Sequence, residues 1–290
     1  MNKKILIHTL VFSPDAVSTA YLYNDIARSL KDAGFEVVVL TTTPQYNIVQ
    51  NDIEEQPMKR KCLGLYYESN FEGIKVIHVL QKKFKKTIVR LFGFAFWHIM
   101  SFFLTLKERK IDLILSPSPP LTIGWLNLLL GKMKRAKVVY NVQEIYPDLL
   151  INESGLKSKT LISLLKSIEK SVYNRSDAVT TIDKVFYDTI APRFKDPSKL
   201  HIIPNFVDTE LYRPLKKEEV KLDEKMFPEN DRIKLLYAGN IGIAQDWKPL
   251  VELAERVKKE PIDFYVVGEG VMKPYLESEI ERRGLSNIYL

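Results

Sequence analysis

Apolar and polar positions change period repeatedly along the 290-residue chain, and each change marks an element. Residues 4–12 form an apolar run; from Ser18 the spacing lengthens, so that Leu22, Ile26, Leu30 and Ala33 share one helical face and Gly34 is placed to end the helix. A second strand, "EVVVLTTT", follows. The alternation continues, with "GIKVIHVL", "DLILSPS", "KVVYNV", "DAVTTI" and "KLHIIPN" reading as strands and "PLTIGWLNLLLGKM" and "KTLISLLKSIEKSVYNRS" as helices. Strands that are apolar throughout are buried on both faces, which predicts a parallel sheet covered by helices on either side.

Periodicity lapses over "LKKEEVKLDEKMFPENDR" and restarts at Ile233. This predicts a first domain over 1–212, a charged linker over 213–232 and a second α/β domain over 233–290. The second comprises strand 233–238, helix 246–259, strand 262–267, helix 272–283 and the fragment "NIYL". An open α/β domain usually has about five strands. The second domain is therefore expected to be incomplete, the chain being a truncated piece of a longer protein and inactive on its own.

Composition narrows the class. A hydrophobic content of 46% supports a sizeable core, and the single cysteine, Cys62, excludes an internal disulfide and fits a reducing compartment. The opening "MNKKILIHTLVF" has the lysines and apolar run of a leader, but it meets "SPDAVSTAYLYNDIARSL" without a small-x-small cleavage site and reads as a first strand. A formal net charge of +7 favours an anionic partner. The excess is concentrated, since no acid lies between Glu72 and Glu108, and this argues against a nucleic-acid-binding face. In "KKFKKTIVRLFGFAFWHIMSFFLTLK" both sides of a predicted helix are apolar. A membrane span is one reading. Arg90, Gly93 and His98 inside the stretch favour another, in which one face covers the sheet and the other, with Lys82, Lys83, Lys85, Lys86 and Arg90, touches an anionic membrane surface.

The candidate chemistry lies at strand ends. "YAGNIGIAQ" puts Gly239, Asn240 and Gly242 between a strand and a helix, with Gln245 just before the helix; such a turn either lets backbone amides meet a phosphate or merely closes a βα connection. "VVGEG" puts Gly268, Glu269 and Gly270 at the end of the next strand, so both turns point to one crevice. In the first domain "FSPDAVST" follows strand one, with Ser18 as a predicted N-cap, and "NVQEIYPDLL" gathers Gln143, Glu144, Tyr146 and Asp148 at another strand end. The second cluster suits hydroxyl recognition or acid/base work, or is an ordinary surface loop. The four histidines are dispersed without ligand spacing and no Asp-x-Asp follows an apolar strand, so no metal site is expected.

Taken in order, "HIIPNFVDTELYRP", "LLYAGNIGIAQ", "LVELAERV" and "FYVVGEGVMKPYLESEIERRGLSNIYL" resemble the consecutive motifs of family-4 glycosyltransferases, nearest to the bacterial colanic-acid and fucosamine transferase-like group of surface-polysaccharide synthesis. The resemblance covers nearly the whole chain and is strongest over 200–290. It implies a GT-B fold of two facing Rossmann-like domains, with no cofactor and no metal. It further implies that a sugar passes from a nucleotide-diphosphate-sugar to a lipid-linked or saccharide acceptor, with retention and with the leaving phosphate assisting deprotonation of the acceptor. Carried over by position, Gly239, Asn240, Gly242 and Gln245 would lie at the donor diphosphate, Gly268, Glu269 and Gly270 near the nucleotide, and Asn205 in the interdomain "PN" motif. Ser13, Pro14 and Ser18, with Tyr146 and Asp148, would meet the acceptor, and Asp15 and Glu144 would be catalytic. The family's arginine and lysine are absent at Asn240 and at Ala244 or Gln245, and its E-x7-E pair would fall beyond Leu290. The implied location is the cytoplasm, peripherally on the inner face of the plasma membrane. Two other classes share the pattern: a hydrolysing sugar-nucleotide epimerase, which would need a crevice histidine, and a non-catalytic sugar-nucleotide-binding or membrane-docking subunit.

Overall fold

The computed structural model describes residues 3–46, 50–81, 87–154, 157–220, 227–228, 230–243 and 245–290, and divides into two compact units, Met1–Tyr212 and Arg213–Leu290. Described in order, the first unit contains β1 (Lys4–His8), α1 (Ser18–Asp32), β2 (Glu36–Thr42), α2 (Gln50–Glu55), β3 (Lys59–Lys61), β4 (Tyr66–Phe71) and β5 (Ile74–Val79). It continues with α3 (Thr87–Lys107), β6 (Leu113–Ser118), α4 (Leu121–Lys134), β7 (Lys137–Val142), α5 (Asp148–Ser154), α6 (Lys159–Arg175), β8 (Ala178–Thr181), α7 (Lys184–Ile190) and β9 (Leu200–Ile202). Its sheet runs β3-β4-β5-β2-β1-β6-β7-β8-β9.

From β5 to β9 every pairing is parallel, so the carboxyl ends of these strands share one edge. β1 and β2 are buried on both sides, as their unbroken apolar sequence requires: Ile5, Ile7, Val37 and Val39 pack with Tyr23 and Ala27 of α1, while Leu6, Val38 and Leu40 pack under α3 and α4. The wholly parallel sheet expected from sequence is corrected at one end, where β3, β4 and β5 are antiparallel. The polar "KRK" of β3 and the polar centre "ESN" of β4 belong to an outer ribbon that need not be buried twice.

α1 starts as its pattern predicts, but Val17 is its N-cap and makes no side-chain cap bond, which corrects the N-cap expectation for Ser18. Gly34 takes φ +87° just past the C-cap, where its N–H donates to the Lys31 carbonyl. The stretch Val89–Lys107 is long and apolar enough to cross a membrane by length and composition. Only 22% of that stretch is buried in this fold: one face of α3, with Trp97, Ser101, Leu104 and Thr105, packs inward with the core of the first sheet.

The second unit contains β10 (Ile233–Ala238), α8 (Trp247–Arg256), β11 (Ile262–Val267), α9 (Lys273–Arg283) and β12 (Ile288–Tyr289), in a parallel sheet of order β10-β11-β12. Successive right-handed crossovers in one direction put both helices on the same face, where Phe264, Val266 and Ile288 meet Val251 and Leu276. On the opposite face Leu236 and Val267 are exposed.

Candidate functional site

At the carboxyl edge of the first sheet, polar side chains are tied to one another rather than left open. Asn141, near the end of β7, accepts from the Tyr23 hydroxyl of α1 (3.0 Å) and from Gln143 Nε2 (2.6 Å), and its own Nδ2 donates to Thr180 Oγ1 of β8 (2.8 Å). Gln143 and Asn205 then exchange two amide hydrogen bonds of 2.9 Å each, clasping the chain after β9 to the chain after β7. Asn205, expected at the donor, thus has its amide committed to Gln143. Ser18, Gln143 and Asn205 meet in one cavity of about 750 Å³, whose rim includes Asp25 and Arg28 of α1 and Phe206.

The loop after β1 is fixed from within. Ser13 Oγ donates to Gln56 Oε1 (2.6 Å), Gln56 Nε2 donates to Ser69 Oγ (2.8 Å), and Ser69 is hydrogen-bonded to His78 Nε2 (2.7 Å). Pro14 is buried, and Asp15 is only 2% exposed, with Oδ1 accepting the Gln45 and Tyr46 N–H groups at 2.7 Å each. The carboxylate of Asp15, expected to be catalytic, joins the loop after β1 to the loop after β2. Burial holds the His78 imidazole neutral by lowering its pKa to about 4, and His8 is lowered to about 4 for the same reason, with Nδ1 bonded to Asn127 Oδ1 (2.7 Å).

The loop after β7 presents Glu144 at the surface. Ser118 Oγ, at the end of β6, donates to the Glu144 carbonyl (2.7 Å) and accepts from its N–H (3.3 Å). Glu144, Ile145 and Asp148 line a shallow cavity of about 360 Å³ with Phe186 and Thr189 of α7. Tyr146 packs on the core beneath, and Asp148 is ion-paired with Arg193, which also holds Glu169 at 2.5 Å. Asp148 is therefore a structural anchor of this loop as well as a rim residue.

In the second unit the two glycine turns do lie side by side, and they touch through their backbones. The Gly239 N–H donates to the Val267 carbonyl and the Ile241 N–H to the Glu269 carbonyl, both at 2.9 Å. Gly268 has φ +156°, and a Cβ there would fall 1.8 Å from the Gly239 carbonyl oxygen; a Cβ on Gly270 would fall 2.2 Å from that of Ile241. These glycines are explained first by the close approach of two chains. Gly242 differs: its N–H donates to Gln245 Oε1 (3.0 Å), a side-chain oxygen, just before Asp246 caps α8. The Asn240 carbonyl accepts from Tyr237, and Glu269 pairs with Lys273 at 2.6 Å. Among the described residues no three His, Cys, Asp or Glu side chains are grouped to hold a metal ion.

Lys82, Lys83, Lys85, Lys86 and Ala244 lie outside the described residues; Arg90, in the first turns of α3, is exposed. The Tyr23–Asn141–Thr180 network and the Ser13–Gln56–Ser69–His78 chain are absent from the sequence reading. Their signal was one polar residue inside an apolar strand, Asn141 in "KVVYNV" and His78 in "IKVIHV".

The sequence profile of Glycosyltransferase Family 4 matches residues 21–211, which takes in most of α1, the Asn141–Gln143–Asn205 network and the Glu144 loop. The chain belongs to Glycosyltransferase Family 4. This glycosyltransferase is 26% identical over 293 aligned residues to WcaI of Escherichia coli (strain K12), a protein named for colanic acid biosynthesis; the alignment covers 98% of this chain and 70% of WcaI. Among solved structures, the catalytic domain of starch synthase IV from Arabidopsis thaliana, bound to ADP and acarbose, superposes with a TM-score of 0.67 at 13% identity, over 100% of this chain and 74% of that one. Anabaena HepE in complex with UDP-glucose gives 0.64 at 15% identity, over 98% of this chain and 67% of that one. The glycosyltransferase accordingly has the GT-B fold class of these neighbours.

Proposed function

We propose that this glycosyltransferase moves a hexosyl or acetamidosugar unit from a nucleotide-diphosphate-sugar to a lipid-linked or saccharide acceptor in cell-surface polysaccharide synthesis, with retention and without a metal. The relationship to WcaI supports the pathway class, and the nucleotide ligands of starch synthase IV and HepE support the donor class. The observation that carries the reading is the Gly242 turn. Its N–H, at the mouth of α8, already holds a ligand-like oxygen from the flexible Gln245 side chain, and a donor phosphate oxygen takes that place on binding. The acceptor sits at the edge of the first sheet, with Glu144 as the carboxylate at its hydroxyl and Ser13, Asp15 and Asp148 shaping the loops around it. The setting is the cytoplasmic face of the plasma membrane.

Titration calorimetry with UDP-, GDP- and ADP-sugars tests the donor half. One of these is expected to bind; Gln245→Glu, which puts a competing negative charge at the Gly242 amide, should weaken it at least tenfold, while Gln245→Ala leaves it unchanged or tighter. Equal binding by all three proteins overturns the assignment of the Gly242 turn. Product analysis with a lipid-linked saccharide acceptor then separates the reactions. Hydrolysis or epimerisation without transfer, or binding without any turnover, would replace the transferase reading.

A further inference from the structure

α3 and α4 run side by side in the same direction. His98 of α3 is hydrogen-bonded to Thr122 of α4 at 3.0 Å, and Lys134 Nζ, at the far end of α4, donates to the Leu106 and Glu108 carbonyls at 2.6 Å each. These contacts set a constant offset of roughly 25 residues between neighbouring turns of the two helices. Ile99 therefore lies level with Trp125, and Phe103 with Leu129. The inner faces of both helices are committed to the core, through Trp97, Leu104, Ile123, Leu126 and Leu130. Their outer faces are apolar too: Phe92, Ile99 and Phe103 are 72, 56 and 60% exposed, and Trp125, Leu129 and Met133 are 52, 40 and 52% exposed. Six large side chains on two adjacent ridges form a continuous apolar strip of the kind that marks an interaction surface.

The charge around the strip selects the partner. Exposed Lys107, Arg109, Lys110, Lys132 and Arg135 cluster where the two helices end, and Arg90 is exposed where α3 begins. The acid within that cluster, Glu108, is turned into ion pairs with Lys4 and Lys75. Two copies of this face brought together would set like charges against each other, whereas a bilayer of anionic lipid complements both the strip and its basic ends.

We propose that the α3–α4 ridge is a membrane-docking face, with Phe92, Ile99, Phe103, Trp125, Leu129 and Met133 entering the interfacial layer of an anionic bilayer and the basic helix ends meeting its headgroups. Its use rests on the acceptor reading above, because a lipid-linked acceptor is presented at such a surface, but binding itself requires no transfer.

Tryptophan fluorescence provides a local test. The protein has three tryptophans, and Trp97 and Trp247 are buried while Trp125 is on the strip. Adding phosphatidylcholine vesicles with about one-third phosphatidylglycerol to the 290-residue chain should shift the emission to the blue, and brominated lipid should quench it, with both responses lost in Trp125→Phe. In co-sedimentation, Phe103→Ser/Trp125→Ser and, separately, Lys107→Glu/Lys110→Glu/Lys132→Glu should each weaken binding at least tenfold, with unchanged circular dichroism because all five positions are exposed. Sedimentation with vesicles but no Trp125 response places the contact elsewhere and overturns the proposal. A lipid-free dimer that protects Trp125 overturns it in favour of self-association. Vesicle binding that survives a failed transfer assay leaves this proposal standing and removes only the acceptor reading.

Discussion

The carboxyl edges of the two sheets are finished with different materials. In the first unit, side chains are knotted into neutral hydrogen-bond networks around Asn141 and Gln56, which add to backbone bonds such as that from the Ala16 N–H to the Tyr46 carbonyl. In the second, side chains are nearly dispensed with, and two glycine turns lie against each other through carbonyls and amides. An edge held by side chains can vary its contents residue by residue. An edge held by backbone contact fixes its geometry and leaves little room for variation. Under the function proposed above, that contrast suits a variable acceptor side and a donor side of fixed geometry.

The contrast can be tested by attacking each edge in its own way. Acid should have the largest effect, and only on the first unit, because all four histidines lie there. His8 and His78 have folded-state pKa values of about 4 against an ordinary 6.5, so the unfolded chain takes up protons that the folded one refuses. Their contribution is fully present above pH 6.5 and is lost as pH falls towards 4, at about 3 kcal/mol per histidine. Urea titrations at stepped pH, followed by hydrogen exchange, should show the first unit losing stability across that window while the second holds. In the second unit Glu279, held down to about 2 by Arg282 and Arg283, keeps its pairing to lower pH. Equal loss in both units would break the distinction.

The next largest effect belongs to Gly268→Ala. A methyl group 1.8 Å from the Gly239 carbonyl oxygen cannot be absorbed by a side-chain rotation, so the turns must part, at a cost of about 4 kcal/mol or more, read by thermal unfolding of the second unit. Gly242→Ala meets only the ends of the Asn240 and Gln245 side chains and should cost far less. In the first unit, Arg193→Met strands the buried Glu169 carboxylate and should destabilise by about 3 kcal/mol, most of it recovered by adding Glu169→Gln. The smallest effect expected is that of Gln143→Leu, about 1 kcal/mol, because the Asn205 pair and the bond to Asn141 that it removes lie at a partly exposed position and Asn141 keeps its Tyr23 and Thr180 partners. Proteolysis after β9 should detect it more readily than melting does.

Periodicity made β1, β2, β6 and β7 legible, because strands that must be buried twice have to be apolar throughout. It missed β3 and α2, whose short polar sequences carry no apolar period; β3 is placed by its pairing with the adjacent β4. The same pattern placed Gln143, Glu144 and both glycine turns at strand ends, where the fold has them. What sequence could not give was commitment. Asp15 reads as a reactive carboxylate, and sequence does not show that two backbone amides bury it; Gly268 reads as lying near a nucleotide, and sequence does not show that a neighbouring carbonyl occupies the space of its missing Cβ. Such assignments depend on who else needs the group, and that is decided by parts of the chain tens of residues away.

The clasp between Gln143 and Asn205 has a consequence of its own. Both partners are carboxamides, which neither gain nor lose a proton in the physiological range and carry no net charge for salt to screen. An acid–base pair at the same place would loosen in brine or at low pH. This one grips the strand-exit segment equally in either, so the span from β9 onward leaves the first sheet from the same point whatever the ionic weather of the cell.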